Sequence, residues 1–268
     1  MNTLCHDVTA SICEYAPVLG HTCKTSNPPG QLNITDYFTV EGMTWALQYG
    51  YKPTQNTFKL LVQHGAPLDV IKTIDWTYVH NDYFCDVAAD AGHLDALKWA
   101  HENGSNLNKW TCASAARQGH MEMLKWAHQN GCPWDEDTCS NAARGGHLHV
   151  LKWARHNGCP WDKLTCVYAA RGGHIHVLKW ARDNGCPWDE DTCSNAAWRG
   201  QLETLKWARE NGCPWDEYTC SNAAWFGQLE TLKWARDNGC PWDEDTCASA
   251  EREGHLHIVK WARDNGCP

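Results

Sequence analysis

The sequence predicts an all-α helical-repeat solenoid, on three observations. From residue 78 onward the chain repeats every 27 residues without insertion or deletion: Lys-Trp returns at Trp99, Trp126, Trp153, Trp180, Trp207, Trp234 and Trp261, and Thr-Cys at Cys112, Cys139, Cys166, Cys193, Cys220 and Cys247. Within a unit the apolar residues sit at i, i+3 and i+4, the spacing of a helix face. A unit this short cannot bury its own apolar face, so neighbours must cover one another and share one continuous core.

The unit from Cys132 to Gly158 shows the parts in order. A first helix starts near Asp135, Asp137 or Thr138, whose side chains accept from free N–H groups while Glu136 opposes the macrodipole. Cys139, Ala142 and Ala143 then give it a small-residue inner face. Gly145-Gly146 breaks the helix. A second runs from about His147 to Asn157, with Leu148, Val150, Leu151, Trp153 and Ala154 as a broad apolar stripe and Lys152 and Arg155 outside it. Gly158 suits a left-handed C-terminus, and Pro160 cannot continue the helix.

The same register continues upstream: Asn56-Thr57-Phe58 and Gly65 lie three periods before Asp137-Thr138-Cys139 and Gly146, and Trp45 lies four before Trp153. The expected organisation is an N-terminal cap or irregular segment at 1–30, two degenerate units at 31–77 and seven regular units at 78–268.

The recurring Trp-Asp pair (Trp134-Asp135, Trp161-Asp162, Trp188-Asp189) does not make a propeller, whose blade needs about 40–45 residues and four strands. The stretch Asp137-Thr138-Cys139-Ser140-Asn141-Ala142-Ala143-Arg144-Gly145-Gly146-His147 resembles the ankyrin motif instead. Val150-Leu151, Trp153-Ala154 and Gly158-Cys159 are similar to that family's aliphatic pairs and closing Gly-Ala. The ankyrin unit is about 33 residues long, and the shortfall falls between Gly158 and Leu164, where that family extends its hairpin finger. The resemblance therefore implies an ankyrin-like solenoid with shortened hairpin fingers. The unit's wording also resembles the ankyrin-repeat proteins of giant DNA viruses of amoebae, with related units in some protists and algae. Some members of the family carry an N-terminal module that recruits ubiquitin machinery, but 1–30 lacks its three-helix Leu-Pro pattern.

Composition narrows the function. The chain has 268 residues and a formal net charge of −9, and no Lys/Arg cluster of the kind that phosphate binding by counterion release requires. Neither a signal peptide nor a run of 18 apolar residues is present. An intracellular, cytoplasmic location is expected, in the host cytoplasm if the source is viral, with no nucleic-acid or membrane partner. Of the sixteen cysteines, those from Cys85 onward follow the repeat and read as small, reduced, apolar side chains. Stacked copies such as Cys139 and Cys166 should lie about 10 Å apart, one helix spacing and beyond bridging reach, which leaves Cys132 with Cys139 as a geometric candidate for a disulfide.

No nucleophile with a base, no phosphate-cradling loop and no zinc helix occurs, so neither catalysis nor a cofactor is expected. Cys5, His6, Cys13, His21 and Cys23 carry zinc-type ligands at a spacing that matches no common finger, and an apolar or exposed role is the simpler reading. The residue after the turn glycine is His at 93, 120, 147, 174 and 255 but Gln at 201 and 228. A residue exchangeable with Gln acts through hydrogen bonds, so capping of the second helix is expected rather than metal binding. The trio Asp135-Glu136-Asp137 lacks the spacing of a calcium loop and reads as helix-start electrostatics.

Positions that do not recur are where a partner is read. Leu164, Tyr168, Trp198, Tyr218, Trp225 and Phe226 place large side chains where other units hold small or charged ones. The ankyrin resemblance puts these positions on the first helix and finger base, facing the concave side. They either form a stack that stiffens the array or anchor a protein partner. At the C-terminal end Glu251 replaces the recurring Ala, followed by Arg252 and Glu253, while Leu256, Ile258 and Val259 stay apolar. Such an end frays, docks another chain in self-association, or continues into further units. The function expected is a non-enzymatic protein-interaction scaffold. The rivals are a metal- or redox-responsive cysteine-rich protein and a purely architectural array.

Overall fold

The computed structural model describes residues 55–73, 76 and 83–268. The cap expected over 1–30, with Cys5, His6, Cys13, His21 and Cys23, lies outside the described residues, as does most of 31–77, including Trp45. The described residues form sixteen helices and no strand. The chain divides between Phe84 and Cys85.

Before that boundary lie α1 (Gln55–Gln63) and α2 (Leu68–Lys72). Gly65 between them has a positive φ of 69°. Phe58 stacks on Phe84 at 3.9 Å, and Trp76 meets both edge-on.

From α3, which begins at Phe84, the helices come in pairs: α3 (Phe84–Ala91) with α4 (Leu94–Glu102), α5 (Lys109–Gln118) with α6 (Met121–Gln129), α7 (Glu136–Arg144) with α8 (Leu148–His156) and α9 (Lys163–Arg171) with α10 (Ile175–Asp183). They continue as α11 (Glu190–Trp198) with α12 (Leu202–Glu210), α13 (Glu217–Trp225) with α14 (Leu229–Asp237), and α15 (Glu244–Arg252) with α16 (Leu256–Asp264). From α5 on, odd-numbered first helices pack on the first helices of neighbouring pairs and on their own second helix. Helices of eight to ten residues are marginal in water by themselves, so this packing supplies their stability.

Local sequence sets both ends of each helix. Asp135, Asp162 and Asp189 are N-caps whose carboxylates accept from the N–H two residues on, at 3.1, 2.9 and 3.2 Å. Gly146, at φ 76°, ends α7 in a Schellman turn, with His147 N–H donating to Ala142 and Gly146 N–H to Ala143. Gly158, at φ 84°, ends α8 the same way, with Cys159 N–H donating to Ala154. Asn157 adds a side-chain donor to the Trp153 carbonyl at 2.8 Å, repeated by Asn130, Asn184, Asn211, Asn238 and Asn265.

The core is narrow and made of small residues. Cys139, Ala142 and Ala143 on α7 and Val150, Leu151 and Ala154 on α8 are fully buried. In place of a hairpin finger, a Trp–Arg ladder joins the units. Trp134 meets Trp153 edge-on at 5.9 Å, and Arg155 lies over Trp161 of the next unit at 4.2 Å while donating to the Cys159 carbonyl. The same stack recurs at Arg182–Trp188, Arg209–Trp215 and Arg236–Trp242, at 4.1, 3.9 and 4.0 Å. A cation over an indole face contributes about 0.5–2 kcal/mol according to its exposure. At the end of the chain Glu251 pairs with Arg263, giving the last helix pair a polar contact, while Leu256 stays 72% exposed.

The cysteines pair differently from the sequence expectation. Cys139 faces Cys159, twenty residues on, rather than Cys132, because the connector after α8 folds back over the start of α7. Cys112 with Cys132, Cys166 with Cys186, Cys193 with Cys213 and Cys220 with Cys240 repeat the arrangement. The second thiol donates to the carbonyl of the N-cap residue: Cys159 to Asp135 and Cys186 to Asp162, both at 3.3 Å. Ser105 occupies this position in an earlier unit, accepting from Cys85 N–H at 3.3 Å. A hydroxyl in that place identifies the residue's task as hydrogen bonding across the connector. Cys159→Ser should accordingly keep stability near that of the native chain, whereas Cys159→Ala, which removes the thiol donor and leaves the Asp135 carbonyl with the Thr138 N–H, should lose about 0.5–1.5 kcal/mol in chemical denaturation.

Candidate functional site: the first-helix face

Each first helix presents one stripe at i, i+4 and i+7, the residues left over once its Cys and Ala face is buried. On α9 the stripe is Leu164, Tyr168 and Arg171; on α11 it is Asp191, Asn195 and Trp198; on α13 it is Tyr218, Asn222 and Trp225; on α15 it is Asp245, Ser249 and Arg252. All six residues singled out in the sequence belong to this surface, with Phe226 at the C-cap of α13.

Contacts divide the six. Trp198 and Phe226 meet at 4.9 Å with a tilt of 32°, and Trp225 lies 6.5 Å from Phe226. Arg171 covers Trp198 at 3.7 Å, and Arg252 stands over Trp225 at 5.1 Å. The three rings therefore form one cluster flanked by two guanidinium groups. Tyr168 stands apart, under Arg144 at 5.7 Å. Leu164 is half-buried, and Tyr218 is 61% exposed at the opposite end of α13 from Trp225.

The sequence reading missed two components. Trp110, 53% exposed, occupies the register of Leu164 and Tyr218; it follows Asn108-Lys109 rather than a Trp-Asp pair, so the usual landmark is absent. The other is a set of lysine bridges: Lys109 reaches Asp135 and Asp137 of the next unit at 3.0 and 3.3 Å, and Lys163 reaches Asp189 and Asp191 at 2.5 and 3.0 Å. Toward the C-terminal end the face is more acidic. Burial pushes the Asp216 carboxyl above its ordinary range, with Glu217 and Glu190 adding to it.

The turn histidines do not cap the second helix as expected, His93 excepted, whose Nδ1 accepts from Ala96 N–H at 3.2 Å. The others lean back over the preceding unit. His174 Nε2 lies 3.1 Å from the Arg144 carbonyl and His255 Nε2 lies 3.0 Å from that of Trp225. Burial, with His176 adding, holds His174 below its ordinary value near 6.5. A histidine with a lowered folded pKa leaves the unfolded chain binding more protons, so stability falls as pH drops below about 6.5. His174→Gln, the residue naturally present at 201 and 228, should show a smaller loss of Tm between pH 7.5 and 5 than the native chain.

Among the described residues no group of three or more His, Cys, Asp or Glu side chains is placed to hold a metal ion. Nor is any helix among them long and apolar enough to cross a membrane.

Residues 85–128, spanning most of α3 to α6, match the family described as Ankyrin repeats (many copies). Among solved structures, the human ASB11 ankyrin repeat domain is similar, with 18% identity and a TM-score of 0.46 over 59% of this chain and 84% of that one. No curated protein matches the chain. Among the described residues the fold is an all-helical, ankyrin-like repeat solenoid, an architecture that generally mediates protein–protein interaction and is typically non-enzymatic.

Proposed function

We propose that the chain is a binding scaffold that engages another protein through its first-helix face, the concave side by the ankyrin resemblance. Trp198, Trp225 and Phe226 are the anchor, with Leu164, Tyr168 and Tyr218 around it. The observation that carries this reading is the three-ring cluster, in which Phe226 remains 40% exposed although Trp198 packs against it. An internal brace gains by burying its rings, whereas a partially open aromatic cluster beside two arginines has the composition of an interface hot spot. The giant-virus resemblance would make the partner a host protein of the cytoplasm.

Affinity capture from host-cell lysate tests this, comparing the native chain with a Trp198→Ala, Trp225→Ala, Phe226→Ala variant of unchanged helicity. A protein retained only by the native chain is the expected result. Equal capture by both would move the site away from this face, and capture by neither would favour an architectural array.

A further inference from the structure

Two constellations in the array show what the start of the first helix recognises. The Lys109 ammonium sits between the Asp135 and Asp137 carboxylates and 4.8 Å from the Trp110 ring centroid. Two units on, Lys163 sits between Asp189 and Asp191 beside Leu164. Each is a lysine held by the Asp-x-Asp pair of the following unit, next to a large side chain. Donating to the Asp189 and Asp191 carboxylates holds the Lys163 ammonium above its ordinary pKa.

The third copy lacks the lysine. Asp243 and Asp245 form the same Asp-x-Asp pair, and Tyr218 holds the place of Trp110, but Glu217 stands where Lys109 and Lys163 stand. Among the described residues Asp243 and Asp245 make no ion pair. Asp243 Oδ1 is buried with no hydrogen-bond partner among them. In the filled copies that oxygen faces the helix N–H and the ammonium lies on the Oδ2 of each aspartate; here Glu217 adds a third negative charge where those copies supply a positive one.

We propose that Tyr218, Asp243 and Asp245 receive a lysine side chain of the protein partner, its ammonium between the two carboxylates and its stem along the Tyr218 ring. The proposal deepens the docking reading above and rests on it. Charge complementarity selects the occupant: a cation satisfies the pair and offsets Glu217, and the internal copies show that an ammonium fits. A long stem lying on an aromatic face matches the way lysine covers apolar surface.

Two measurements on the full chain test it. In the first, Nα-acetyl-lysine methylamide and the norleucine analogue are titrated separately and followed by two-dimensional NMR. The lysine derivative should shift the amides around Tyr218 and Asp243–Asp245 and bind about twofold to fivefold more tightly than the norleucine analogue. Glu217→Lys, which supplies the ammonium in cis, and the Asp243→Asn, Asp245→Asn variant should each abolish that difference. Equal affinity for the two derivatives, or a preference for lysine that survives both variants, overturns the proposal. The second is a double-mutant cycle on stability between Glu217→Lys and Asp243→Asn, Asp245→Asn. A favourable coupling is expected, and zero coupling overturns the proposal even where ligand binding is weak. Partner capture that depends on Trp198, Trp225 and Phe226, found without lysine selectivity, would sink this inference alone and leave the docking face standing.

Discussion

Leu178→Ala will cost the array about 2–5 kcal/mol, the range for a fully buried leucine whose site cannot collapse. Leu178 lies on α10 in the middle of the stack and is completely buried, as Leu151 and Leu205 are in the adjacent units. In an array whose units touch chiefly their neighbours, a weak central unit uncouples the two sides. The urea transition should therefore shift to lower concentration and broaden or split, read in parallel by far-UV circular dichroism and tryptophan fluorescence. Leu256→Ala is the control: the side chain is 72% exposed, and a surface change of this kind stays within about 0.5 kcal/mol. Equal losses in the two variants would contradict the assignment of the core to the second-helix leucines.

The second large effect separates two glycines with nearly the same backbone. Gly146 and Gly158 have φ of 76° and 84°, so alanine at either pays the left-handed penalty of about 1–2 kcal/mol. Beyond that they diverge. A Cβ at Gly158 would meet nothing within 4 Å, whereas one at Gly146 would lie 2.7 Å from His174 Nδ1. That ring is held against the Arg144 carbonyl, so moving it breaks a contact between units. Gly146→Ala should be clearly more destabilising than Gly158→Ala in thermal unfolding, and His174→Ala should reduce the difference. Equal costs at both glycines would show that the turn histidine moves freely and does not tie units together.

Much of the local architecture was legible because it depends on near neighbours in the chain. The Asp caps, the Asn-Gly stops and the buried Cys and Ala face all act within one turn of a helix, so Asp135, Asn157 and Gly158 announce their roles in any one unit. The candidate site was legible by contrast: Trp198, Trp225 and Phe226 stand out because the repeat shows what stacking alone requires at those positions. What escaped were contacts made between units. Arg155 reads as a solvated residue within its own helix, yet it covers Trp161 of the next unit. His147 and His174 look like caps in one unit, but they act on the glycines and carbonyls of the unit before. Trp110 escaped because its unit lacks the Trp-Asp landmark.

For the regular units among the described residues, the sequence by itself determined that helices come in stacked pairs, roughly where the two helices of a unit begin and end, and which residues are surplus to the stacking. Those follow from hydrogen-bond satisfaction and apolar periodicity over a few residues. The tertiary structure alone decided that Cys139 faces Cys159, that Arg–Trp stacks join the connectors, and that Lys109 and Lys163 bridge the carboxylates of the following unit. Each of these joins residues about one period apart or on folded-back connectors. Their distance depends on how one helix pair is rotated and spaced on the next, and that is set by the packing of the small-residue faces.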